Sequence, residues 1–129
     1  MPCCCLEFHI KRVGVNSLEY YTATENGTYN GYCTWTFDIL IEETVTTLYV
    51  WSNDPKSWLI TTALGSASNQ VFVGTDTELP ECPTTTNLPS GWEIGGLYVG
   101  EFQTIKAFEC ATDSACDCLN GTITFSLPE

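Results

Sequence analysis

Positive charge is the scarcest property of this 129-residue chain: four Lys and Arg stand against 16 Asp and Glu, for a formal charge of −12, and there is a single histidine. That deficit excludes nucleic acid as a partner, because binding a phosphate backbone depends on clustered Lys or Arg to displace counterions. Long apolar runs are missing too. No window approaches the ~20 apolar residues of a membrane helix, so no membrane partner is expected. The start, Met1-Pro2-Cys3-Cys4-Cys5-Leu6-Glu7-Phe8-His9, has neither the basic segment nor the apolar run of a leader peptide, so export by that route is not expected. No stretch keeps apolar residues at i, i+3, i+4 and i+7 over ten positions, which leaves little room for helix.

Catalytic signatures are equally sparse. A Ser or Cys nucleophile needs a neighbouring base, and His9, between Phe8 and Ile10, reads as an exposed strand residue. There is no G-x-S-x-G, no H-E-x-x-H and no phosphate-binding glycine loop. Adjacent Glu42 and Glu43 would face opposite sides of a strand or share a turn, and neither arrangement sets two acids across a bond. They read as solvated turn charge. Glu109, Asp113 and Asp117 could offer oxygens to Ca²⁺, but the spacing of a calcium loop is absent. The expectation is a protein that is not an enzyme and carries no cofactor and no metal.

What the chain does hold is a period of two. Between 32 and 41 the apolar residues Cys33, Trp35, Phe37, Ile39 and Ile41 alternate with Thr34, Thr36 and Asp38, the pattern of a strand with one dry and one wet face. Val45, Tyr49 and Trp51 fall on one side of a second run, and 58–64 forms a third after the turn cluster Ser52-Asn53-Asp54-Pro55-Lys56. Further strands are expected over 6–15, 18–24, 70–74, 97–102, 104–110 and 119–127. The fold class that follows is all-β: a single domain over 1–129, an antiparallel sandwich or barrel of about eight or nine short strands with little helix. Asn26-Gly27, Asn30-Gly31 and Asn120-Gly121 read as hairpin turns. The 43% hydrophobic content, with four Trp, six Tyr and six Phe, argues against a disordered chain despite its charge.

The stretch 75–91 breaks the rhythm. Three prolines and three consecutive threonines deprive it of a ladder to join, and loops of this length tend to be functional. It is therefore a candidate contact arm, centred on Thr84, Thr85, Thr86, Asn87 and Leu88. Eight cysteines sit at 3, 4, 5, 33, 82, 110, 116 and 118. A Cys82–Cys110 disulfide, or one using the 116–118 loop, is preferred to a metal site on Cys110, Cys116 and Cys118, because zinc usually asks for paired C-x(2–4)-C elements. Cys33 reads as a small buried thiol. The aromatic residues give the remaining candidate, a platform of Tyr49, Trp51, Trp58 and Trp92 for stacking on a sugar ring, set against simple core packing of the same rings.

One combination has a familiar look. Asn30-Gly31-Tyr32, Leu48-Tyr49-Val50-Trp51, Trp58-Leu59-Ile60, Leu64-Gly65, Cys82-Pro83 and Gly91-Trp92, spread over about 20–110, resemble a small Cys- and Trp-rich β module that recurs in extracellular and viral proteins, phage virions among them. The resemblance implies display or interaction, with no catalytic residues to carry over. The function expected is that of a structural protein of a virus particle, made in the host cytoplasm: a tailed-phage capsid decoration, neck or tail component binding other virion proteins or copies of itself. The alternative is an extracellular carbohydrate-binding or display module, with a glycan as partner.

Overall fold

A computed structural model describes residues 5–53, 57–68, 70–75, 83–84, 91–98 and 100–110 of the chain. They form eight strands and no helix: β1 (Leu6–Arg12), β2 (Leu18–Tyr29), β3 (Tyr32–Ile41), β4 (Thr44–Asn53), β5 (Ser57–Thr61), β6 (Gln70–Thr75), β7 (Trp92–Ile94) and β8 (Phe102–Glu109). All neighbours pair antiparallel, in the order β7-β6-β5-β4-β3-β2-β1-β8. Strands β1 to β7 thus run as a meander, and β8 returns to the free side of β1. The result is one nearly closed, barrel-like sheet whose seam lies between β7 and β8.

The period of two sets which side chains point inward. Cys33, Trp35, Phe37, Ile39 and Ile41 of β3 are all buried, as the alternation requires, and Leu6, Phe8 and Ile10 of β1 join them. Aromatic rings fill the space they enclose: Phe8 stacks on Phe37 at 5.0 Å, Trp92 meets Phe8 edge-on at 6.1 Å, and Trp35 lies 5.9 Å from Trp58. Such pairs add about 0.5–1.5 kcal/mol each beyond the area they bury. An eight-stranded barrel has room either for side chains or for one small ligand, and here the side chains take it. The outer wall carries Glu7, Lys11, Thr22, Thr24, Asp38 and Thr47, the reverse of the apolar exterior of a membrane barrel.

β2 makes the corner. It ladders with β1 over 18–23 and with β3 from Thr24 onward, where an extra residue between Glu25 and Thr28 forms a bulge. Asn26-Gly27, expected as a hairpin turn, is this bulge, with Gly27 at φ 83. The hydroxyl of buried Thr34 donates toward the carbonyls of Asn26 and Gly27, at 2.9 and 3.1 Å. Asn30-Gly31 is the turn foreseen, both residues at positive φ, 56 and 83, as a type I′ hairpin demands.

One expected strand is replaced by a turn, and one strand is new. Leu97, Tyr98, Gly100 and Glu101 are turn residues, with Tyr98 at φ 62 and the Glu101 amide donating to the Tyr98 carbonyl, and the strand begins only at Phe102. The edge strand Trp92–Ile94, too short for any periodicity, was not anticipated. It is pinned to β6 by close backbone contact: Gly95 N donates to Val71 O at 2.7 Å, and a Cβ on Gly95 would lie 2.4 Å from the Gln70 carbonyl oxygen. The expected strand over 119–127 and the Asn120-Gly121 turn lie outside the described residues.

Candidate functional site

The aromatic platform does not exist as a surface. Trp51, Trp58 and Trp92 are 1%, 0% and 7% exposed, and Tyr49 alone of the four is partly accessible. Register explains it. Trp51 pairs with Leu59 and Trp58 with Ser52, so the two tryptophans sit on opposite faces of the β4–β5 ladder. Trp58 and Trp92 belong to the barrel core. Trp51 is on the outer face but buried, its Nε1 donating to Thr61 Oγ1 at 2.8 Å and Tyr29 meeting it edge-on at 5.4 Å. Of these four rings only Tyr49 reaches the surface, so they do not form a platform.

The contact arm is anchored, at least where it is described. Trp92 Nε1 donates to the Pro83 carbonyl at 2.7 Å, and Thr84 is 2% exposed, so Thr84 is not a contact residue. Thr85, Thr86, Asn87 and Leu88 lie outside the described residues, as does Cys82.

The disulfide is corrected as well. Cys110 bonds to Cys5, with Cα atoms 5.4 Å apart. These positions continue the β1–β8 register one step beyond Leu6 and Glu109, and the Cys110 amide donates to the Cys5 carbonyl at 3.0 Å. Sequence spacing hides this proximity, because only the β8 return brings residues 105 apart into register. Cys33 is disulfide-bonded too, not a free buried thiol. With its sulfur in a disulfide, Cys110 has no thiolate to give a metal. Among the described residues no three His, Cys, Asp or Glu side chains converge as metal ligands.

A polar cluster that the sequence did not announce occupies the opposite end of the barrel. Arg12, at the end of β1, donates from Nε to Glu19 Oε2 at 2.7 Å and from Nη2 to Glu19 Oε1 at 3.2 Å, a two-pronged pair. Its Nη1 donates to Glu101, its Nη2 also reaches the Leu40 carbonyl at 2.7 Å beyond the end of the β2–β3 ladder, and Tyr21 donates to Glu19. The guanidinium also lies 5.2 Å from the Phe102 ring centre. The hydrogen bond from Arg12 holds the Glu19 carboxyl below its ordinary range, burial pushes the Tyr21 hydroxyl up, and Glu19 raises Arg12 further. Each group is thus fixed in its neutral-pH state. The cluster is a lock for the β1, β2 and β3 ends, with neither a free base nor a nucleophile. Glu19 sits seven residues from Arg12 and Glu101 89 residues away, so no local motif could have revealed the set.

His9 lies on the outer wall between the Tyr20 and Phe108 rings, each 4.6 Å away, and 3.6 Å from Glu7. Glu42 and Glu43 are exposed at the β3–β4 turn, as expected. A groove of about 380 Å³ runs along the seam between Trp92–Ile94 and residues 103–106. No protein-family model, no curated protein and no solved structure matches the chain.

Proposed function

We propose that this protein is a non-enzymatic structural module that works by protein–protein contact through its outer surface, in an oxidising setting such as the exterior of a virus particle. The observation that carries the reading is the filled barrel: Phe8, Trp35, Phe37, Trp58 and Trp92 occupy the space where a small ligand would sit. Disulfides at Cys5–Cys110 and at Cys33 favour an oxidising environment, where such bonds persist. An acidic exterior favours a position facing away from packaged nucleic acid. Within that reading, a capsid decoration, neck or tail component of a tailed phage is the setting that best combines disulfides, acidity and a barrel interior filled by side chains.

The test is co-sedimentation. Particles purified on a density gradient from producing cells are probed with an antibody against the chain and imaged with gold-labelled antibody. The proposal expects the chain in the particle fraction at fixed stoichiometry. A chain found only at the top of the gradient overturns it.

A further inference from the structure

We infer that the outer face of the β3–β4 hairpin, with the adjoining β1–β2 turn, docks onto a protein surface that has an apolar centre and a Lys/Arg rim. The inference rests on the reading above and names the face and the chemistry of its partner. Leu40 and Val45 are directly paired on the outer face of the hairpin and are 52% and 69% exposed. Val13 and Leu18, 54% and 44% exposed, stand on the neighbouring β1–β2 hairpin. Arg12 holds the two hairpins together by bridging Glu19 and the Leu40 carbonyl. Among the described residues, five of the eight exposed large apolar side chains (Val13, Val15, Leu18, Leu40 and Val45) lie at the turn ends of these two hairpins, and the other three, Tyr20, Tyr29 and Leu64, are spread over the rest of the surface. Exposed apolar clusters rimmed by polar groups are the usual anatomy of a contact surface.

The charge around the patch selects the partner. Glu42 and Glu43 form the hairpin tip and Asp38 lies exposed on the strand below. The nearest cations are already engaged: Arg12 by Glu19 and Glu101, Lys11 by the Gln103 side chain at 2.8 Å. A second copy of the chain would set the same carboxylates against each other, and an anionic lipid surface would be repelled. A cationic rim is complementary. Folding gains nothing from the acidic tip, since Glu42 and Glu43 both adopt positive φ, 52 and 65, where Asn-Gly would be unstrained.

The experiment uses the full chain with its disulfides intact and immobilised β-hairpin peptides that share a Val/Ile centre and differ only in a Lys, Gln or Glu rim. The Lys-rim peptide is expected to bind best. Leu40→Thr with Val45→Thr should weaken that binding about tenfold at unchanged net charge. Glu42→Asn with Glu43→Gly should weaken it about as much while raising the thermal midpoint, which separates lost contact from lost folding. Glu25→Gln with Glu93→Gln, an equal change of charge at exposed sites elsewhere, should leave it unchanged. The inference is overturned if that control pair weakens binding equally, or if Leu40 and Val45 do not matter. It is also overturned if the chain alone dimerises through this face, or if lipid vesicles bind it more tightly than the peptides do. Should the face fail while the chain still co-sediments with particles, the surface-contact reading stands and only the hairpin assignment falls.

Discussion

Replacing both Cys5 and Cys110 by serine removes the covalent clasp at one end of the β1–β8 ladder. The two residues are 105 apart in sequence, so in the unfolded chain the bond closes a loop covering most of the protein. Chain-entropy arithmetic gives ~4.7 kcal/mol for a loop on the order of 100 residues. The disulfide at Cys33 remains and already restricts the unfolded chain, which lowers the expected loss to about 2–4 kcal/mol. For a domain of this size that corresponds to a thermal midpoint lower by roughly 6–15 °C. The native fold itself should persist, since Leu6 to Lys11 still ladder with β8. The assay is a pair of melts without reductant, followed by far-ultraviolet circular dichroism, with near-ultraviolet spectra at 20 °C to confirm an unchanged core. A midpoint shift below about 3 °C would refute the reasoning, because the clasp would then not constrain the unfolded state.

Four further outcomes are expected. Ser52 is buried and its hydroxyl has no hydrogen-bond partner among the described residues, so Ser52→Ala should be neutral or stabilise by up to ~1 kcal/mol in urea titrations, and a measurable loss of stability would show a partner for the hydroxyl. Gly95→Ala should cost about 1–3 kcal/mol by the same titration, because the new methyl would meet the Gln70 carbonyl. All four tryptophans are buried, so fluorescence should be blue-shifted, resist iodide and ignore a glycan panel. A saturable shift with any glycan would reverse that conclusion. The Glu19 carboxyl is held below its ordinary value of 4.5, so the folded state binds its proton less tightly than the unfolded one. Its contribution is present at neutral pH and is lost as pH falls below that value. The stability difference between wild type and Glu19→Gln should therefore shrink as pH falls below about 4.5, whereas a difference that does not change with pH would mean that Arg12 does not grip the carboxylate.

How legible the fold was depended on the range of the forces. The inward set on β3 could be read residue by residue, because a wet face and a dry face leave a period of two in the sequence. Asn30-Gly31 was equally plain, since positive φ at both positions demands such residues. The turn at Leu97 and Tyr98 and the strand β7 were not legible: backbone contact with β6 decides them, and it leaves no side-chain pattern in three residues. The site was less readable still. Trp51 was a fair candidate for exposure by alternation, but cover from Tyr29 and its bond to Thr61 turned an outward ring into a buried one. The Arg12 cluster and the Cys5–Cys110 bond join residues across the β8 return, a distance that spacing rules do not span.

The most direct test of a filled barrel acting through its surface is native mass spectrometry of the chain without reductant, taken from the particle fraction and from the free pool. The account predicts a polypeptide mass lowered by two hydrogens per disulfide, no stoichiometric small-molecule adduct, and incorporation into a larger protein assembly in the particle fraction. A monomer in both fractions that carries a tightly held ligand of defined mass would contradict it.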